Sequence, residues 1–247
     1  MTSILARAIA VARTRMNASW QRASLAVPVG SVDFGDLRRT DPISRVFGLD
    51  RGTPVDRYYI EGFLGDQAGS VRGRVLEIGD ATYTKQFGGS RVTRSDVLHV
   101  SGDSPEATII ADLTDAPQIA TGTFDCIILT QTLQFTYAME KTVAELFRIL
   151  APGGCVLCTV PGISQISRYD MDRWGDYWRL TDLSARTLFE TAFPPQQVEV
   201  TTYGNVLAAT AFLHGLAVSG LATGELDVRD EDYPLIVAIK ATKPAVA

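Results

Sequence analysis

VLEIGDATYT, Val75 to Thr84, opens as an apolar strand and closes on an acid and a glycine, Glu77 and Gly79. The following positions, where further glycines would let the backbone approach a pyrophosphate, carry Asp80, Ala81 and Tyr83. A strand that runs directly into a turn and a helix is the starting unit of a parallel α/β sheet. The stretch therefore sets the fold class and raises a question: does its turn still hold a ligand?

Working outward, strand and helix patterns alternate from Thr53 to the end of the chain. PVDRYYIEGFLGDQ reads as a leading helix. RVLEIGD, RVTRSDVLHV, ATIIADL and FDCIILTQTL read as the first four strands. In EKTVAELFRILAPGG, Val143, Leu146, Phe147 and Leu150 fall at i, i+3, i+4 and i+7, which predicts an amphipathic helix closed by Pro152 and Gly153. The strand CVLCTVPG, a helix around LSARTLFETAF, the strand QVEVTTYG, an apolar helix and the strand PLIVAIKATK complete the pattern. Residues 1–52 stand apart as an N-terminal helix and a connector rich in glycine and proline, and residues 53–247 form the main domain.

Composition narrows the chemistry. A chain of 247 residues, 46% apolar, buries one good core. Its net charge of −5 argues against a general nucleic-acid binder. Cys126, Cys155 and Cys158 lie in apolar strands without a second pair to complete a zinc set, so neither a disulfide framework nor a metal is expected, and a reducing cytoplasm fits. The first 22 residues hold Arg7, Arg13, Arg15 and Arg22 and no acid. That pattern suits a basic amphipathic helix, either packed on the domain or lying on a membrane surface or a partner. Val206 to Ala222 is apolar but short for a span and is broken by His214 and two glycines, so burial against the sheet or in a homodimer is expected.

The order of elements and five phrases resemble the class I S-adenosylmethionine-dependent methyltransferases. The phrases are EIG after the first strand, an acid after the second, Ala111-Asp112 after the third, TFDCIILTQTL, and LFRILAPGG before the fifth. The resemblance covers roughly residues 54–243. It implies a Rossmann-like α/β fold, with a mostly parallel seven-stranded sheet, an antiparallel last strand and helices on both faces. PVDRYYIE, DVLHV and YWRLT are further similar to methyltransferase-domain proteins that accompany bacterial glycosyltransferases.

The missing glycines weigh against NAD more than against S-adenosylmethionine, which has no phosphate to seat on backbone N–H groups. Glu77, Gly79 and Asp80 form the candidate cofactor turn, in which Tyr83 stands where the family carries its last glycine and would narrow the pocket. Asp96, 19 residues beyond Glu77, has the spacing of a ribose-binding acid. The resemblance sets Asp112 at the adenine amino group and Gln131 beside the cofactor. For a general base, His99 and Glu61 are the candidates, while His214 reads as buried packing.

Ser167 to Thr181 follows the fifth strand, where this fold builds its acceptor pocket. Tyr169, Trp174, Tyr177 and Arg179, with Tyr58 and Tyr59 of the leading helix, suit a carbohydrate, because rings stack on sugar faces and charged groups bond hydroxyls. The same residues equally suit core anchors. The reading is a cytoplasmic O-methyltransferase acting on a glycan or sugar-containing precursor. The alternatives are a non-catalytic protein that organises a glycosyltransferase complex and a small-molecule methyltransferase of secondary metabolism.

Overall fold

The computed structural model describes residues 27–28 and 30–245, so the basic segment 1–22 lies outside it. The chain divides into two units, Met1–Thr40 and Asp41–Ala247. In the first, the described residues form turns: the Ser31 hydroxyl donates to Pro28 O at 2.6 Å, and a single 3₁₀ turn spans Gly35–Leu37. The second unit begins at Asp41 rather than at residue 53. The N–H groups of Ile43 and Ser44 donate to His214 O, and the Phe47 ring packs 5.8 Å from Phe212, so the end of the connector belongs to the domain.

Seven strands form one sheet in the order β3-β2-β1-β4-β5-β7-β6. They are β1 Gly73–Ile78, β2 Val92–His99, β3 Ile109–Ile110, β4 Phe124–Thr130, β5 Leu150–Pro161, β6 Val198–Tyr203 and β7 Ile236–Thr242. β1 to β5 pair in parallel, and β7 runs antiparallel to both β5 and β6. This is the architecture the resemblance implies. β1, β4 and β5 are covered on both faces, which is why they read as near-continuous apolar runs.

Helix α1 (Val55–Asp66) buries Val55, Tyr59, Ile60, Phe63 and Leu64 against one side of the sheet. It starts directly after Pro54, with Asp56 in the first turn where the helix dipole favours an acid. Helix α2 (Met139–Ile149) buries Val143, Leu146 and Ile149 on the other side. It ends before the predicted Pro152-Gly153 stop, because Leu150 is already extended and pairs with Phe124 as the first residue of β5. Lys243, beyond β7, donates its ammonium to Phe147 O and Leu150 O at 2.9 and 2.8 Å and satisfies carbonyls left open at the end of α2. Shorter helices include α3 (Arg168–Met171), α4 (Asp182–Phe189) and α5 (Val206–Leu213). The apolar run from Val206 thus yields a helix of only 8 residues, and no described helix is long and apolar enough to cross a membrane.

The turn after β1 is unusual. Residues Thr84–Gly88 form a wide π-helical turn before the chain enters β2. A Cβ on Gly88 would run into the Val92 side chain and lie 3.1 Å from Val71 Cγ1. Close packing of turn against strand, usually the task of the last glycine in such a turn, is therefore assigned to Gly88, and Tyr83 is released from it. Both valines are β-branched and stiff. Gly88→Ala is expected to cost about 1–3 kcal/mol of unfolding free energy, measured by urea denaturation.

Candidate active site

Strand order locates the site. β2 and β3 lie on one side of β1, and β4 and β5 on the other, so the connections diverge at the β1/β4 boundary and leave a crevice at the carboxyl edge. Two cavities occupy this edge and share Ile78 and Phe135 as their common wall. The first, of about 590 Å³, lies over the ends of β1, β2 and β3 and is mainly apolar, with Leu98, Ala111, Leu113 and Trp174 in its walls. The second, of about 360 Å³, lies over β1, β4 and β5 and is the more polar of the two.

Gly79 lines the apolar lobe and Asp80 the polar one, so the questioned turn is the divide between them. Gly79 has φ +93°, outside the usual range of other residues, and its N–H donates to Leu98 O at 3.0 Å. Asp80 Oδ1 accepts the Thr82 N–H at 2.7 Å and closes a local turn. Buried Glu77 sits beneath it, with one oxygen accepting the Tyr83 N–H at 3.0 Å and the other the Thr84 N–H at 2.7 Å. Burial pushes the Glu77 carboxyl above its ordinary range, and those N–H groups pull it back. Glu77 therefore shapes the turn from within, with each of its oxygens engaged by a backbone N–H. The Tyr83 ring is buried in the wall of the polar lobe, where its hydroxyl accepts from Arg57 Nη1 at 3.2 Å.

Asp112, expected as an adenine contact, lines the apolar lobe. Its Oδ1 is engaged by the N–H and hydroxyl of Thr114, both at 2.8 Å. Gln131 lines the polar lobe with φ +46°, and Phe47 lines the same lobe with φ +60°. Among the described residues these are the two non-glycines with positive φ. Each costs of order 1–3 kcal/mol, and such strain collects at ligand sites.

Several expected site residues are placed elsewhere. Asp96 is not at the end of β2 but inside it, opposite Leu76, and lines neither lobe. Its side chain is 2% exposed and is held by Arg74 Nε at 2.7 Å and Arg94 Nε at 3.1 Å. Arg74 and Arg94 face each other across the β1–β2 rungs, and Asp96 neutralises that like-charged pair. Its carboxyl is drawn below the ordinary range: burial opposes the shift, and the two guanidinium groups outweigh it. The residue that does stand at the end of β2 is His99, which lines the apolar lobe. Its Nδ1 lies 3.1 Å from the Ser101 nitrogen and 2.9 Å from its carbonyl oxygen, and its ring meets Trp174 edge-on at 5.6 Å.

Glu61, Tyr58 and Tyr59 line a third cavity, of about 440 Å³, on the far side of α1. There the Tyr58 hydroxyl donates to Asp227 at 2.6 Å and the Tyr59 hydroxyl to Leu226 O at 3.0 Å. Trp174 and Tyr177 border the apolar lobe rather than an acceptor pocket. Tyr169 lines neither lobe; it is 65% exposed and stacks on Arg173 at 3.5 Å. Of that group only Arg179 reaches the polar lobe. It grips Asp176 through two bonds of 2.6 and 2.9 Å and donates to Gln165 O at 2.6 Å, while Asp176 also accepts the Ser167 N–H at 2.9 Å. This pairing draws the Asp176 carboxyl down against burial, so the wall is rigid and already ionised.

Two polar-lobe residues escaped the sequence reading. Gln134, 4% exposed, follows β4 and has a buried Oε1 with no partner among the described residues. Asp56 enters from the first turn of α1. Neither had a motif to announce it.

A methyltransferase-domain family model matches residues 79–158. No curated protein sequence matches the chain. Two solved structures are similar at TM-score 0.50. One is the N-methyltransferase NodS from Bradyrhizobium japonicum WM9 in complex with S-adenosyl-L-homocysteine, at 17% identity over 84% of this chain and 94% of that one. The other is the [4+2]-cyclase SpnF, at 18% identity over 79% of this chain and 84% of that one. At these identities the likeness is one of fold, the Rossmann-like fold of class I methyltransferases.

Proposed function

We propose that the protein is an S-adenosylmethionine-dependent methyltransferase whose acceptor is a hydroxyl of a glycan or other sugar-containing molecule. The observation that carries the reading is the two-lobed cavity at the β1/β4 boundary. The apolar lobe suits a nucleoside, with Asp112 at its wall and His99 at the end of β2, where a hydrogen-bonding group meets ribose in this fold class. The polar lobe suits an amino-acid end followed by a polar acceptor. Gln134 adds an amide to the wall of the polar lobe, its buried Oε1 having no partner among the described residues. No phosphate cradle is needed, so the turn functions without its later glycines.

S-adenosylmethionine, when bound, supplies a methyl group already activated by its sulfonium. The protein's share is then to hold, to align and to exclude water. Gln131 and Phe47, fixed in strained conformations, and the locked Asp176–Arg179 wall are suited to such alignment. The sugar reading rests on hydrogen-bonding side chains of the polar lobe, Ser164, Gln165 and Asp170, beside the Phe47 and Phe212 rings, rather than on the tyrosines first singled out.

SpnF shares the fold and is described as a cyclase, so the fold alone does not specify methyl transfer. Calorimetric titration separates the possibilities. Saturable binding of S-adenosylmethionine and S-adenosylhomocysteine at micromolar concentration, with no heat from NAD, is the expected result. No binding by a folded sample would overturn the proposal in favour of a non-catalytic partner of a glycosyltransferase complex.

A further inference from the structure

Resting on that reading, we infer that Trp174 is the ring on which the nucleobase of the cofactor stacks, so that the segment after β5 serves the nucleoside as well as the acceptor. This segment, Ser167 to Arg179, lines both lobes. Ser167, Asp170, Asp176 and Arg179 border the polar one, and Arg173, Trp174 and Tyr177 the apolar one. Its polar half is anchored by the bonds of Asp176 to Arg179 and to the Ser167 N–H, and its aromatic half is presented to the nucleoside lobe.

Four aromatic residues line the apolar lobe: Phe135, Tyr137, Trp174 and Tyr177. Phe135 belongs to the wall shared with the polar lobe. Tyr137 and Tyr177 pack on each other at 5.4 Å, and Tyr137 also lies 5.6 Å from the Trp178 ring. Trp174 differs from these in its neighbour. Its ring meets that of His99, the end of β2, at 5.6 Å and 84°. At that angle the edge of one ring meets the face of the other, so His99 leaves at least one indole face uncovered. The side chain is 36% exposed, so the rest of the protein does not bury it either. Trp174 therefore offers an open aromatic face beside the histidine that stands at the ribose position.

The indole is held before a ligand arrives. The N–H groups of Arg173, Trp174 and Gly175 all donate to Asp170 O, at 3.0, 2.7 and 3.2 Å, and the Ser167 hydroxyl donates to Asp170 Oδ2 at 2.5 Å. Gly175 has φ +93°, and a Cβ there would overlap the Tyr177 ring, so the turn that carries Trp174 requires glycine. A ring fixed in advance loses little freedom on stacking. The lobe also favours an uncharged occupant. The Arg173 guanidinium lies over the Tyr169 ring at 3.5 Å and donates to Tyr169 O at 2.7 Å, and Tyr169 lines neither lobe. A neutral, planar base fits this wall; a phosphate would find the guanidinium already engaged.

Calorimetric titration of the full chain with S-adenosylhomocysteine and with 5′-methylthioadenosine, which keeps the nucleoside and lacks the amino-acid end, tests the assignment. Trp174→Ala is expected to weaken both ligands by the same factor, about fivefold to a hundredfold, the worth of one base–aromatic stack. Trp174→Phe is expected to restore most of the affinity. Binding should also quench the fluorescence of the wild type, and that quench should vanish in Trp174→Phe, although Trp20 and Trp178 remain. Affinity for 5′-methylthioadenosine unchanged in Trp174→Ala, or a quench that persists in Trp174→Phe, would overturn the assignment while leaving the methyltransferase reading intact. Failure of the wild type to bind S-adenosylhomocysteine would overturn that reading and the assignment with it.

Discussion

Asp96→Ala is expected to lower the unfolding free energy by about 2–3 kcal/mol and to leave affinity for S-adenosylhomocysteine within about twofold of the wild type. The size follows from the burial of each partner. The Asp96 side chain is 2% exposed, so its removal leaves a polar gap inside β2, but the Arg74 and Arg94 side chains it leaves behind are 31% and 61% exposed and recover some hydration. The cost therefore sits below that of breaking a fully buried pair. Their mutual repulsion across the β1–β2 rungs adds to it. The Asp96 carboxyl is depressed in the folded state, so its stabilisation is fully present above the unfolded value near pH 4 and is lost as pH falls through the folded value. Urea denaturation at neutral and acid pH should show the gap between wild type and variant closing below about pH 4. Normal stability with lost ligand binding would instead return Asp96 to the cofactor site.

The case of Asp96 shows which parts of this protein can be read in advance. The sheet was legible because parallel strands covered on both faces have to be apolar runs, and because α2 carries its buried side chains at helical spacing. Distance along the chain was a poorer guide to the site. Asp96 has the right spacing from Glu77, but β2 continues to His99, so the acid lies on the inner rungs and the histidine stands at the edge. In α1, a period of 3.6 residues places Asp56, Arg57 and Ile60 on one side and Tyr58, Tyr59, Glu61, Gly62 and Asp66 on the other. Those two sets line the polar lobe and the third cavity respectively. The wheel was available in the sequence; which side faces the crevice was not, because that depends on how α1 lies on the sheet. Gln134 was illegible for another reason. Its significance is a missing hydrogen bond, which exists only once neighbours are in place.

Glu77→Gln is expected to have a still wider effect, because this carboxylate supports the turn that divides the two lobes. Its oxygens accept the Tyr83 and Thr84 N–H groups, and its charge lies at the start of a helical turn, where the peptide dipoles favour an anion. The amide can keep one of these bonds through its carbonyl oxygen. Its NH₂ group then faces the second backbone N–H, donor against donor, in a buried site. Loss of one charge-assisted bond and the stranding of one N–H together cost about 2–4 kcal/mol. Relaxation of Ala81 to Thr84 would also shift Asp80 and Tyr83, which line the polar lobe. At a temperature where the variant is fully folded, affinity for S-adenosylhomocysteine should fall at least tenfold, although both Glu77 oxygens are already engaged by the turn. That combination, seen by denaturation and calorimetry on the same sample, identifies Glu77 as a positioning residue. Reduced stability with unchanged affinity would show that the two lobes hold their ligand without the turn, and that the altered sequence from Asp80 to Tyr83 is free of any duty to the cofactor.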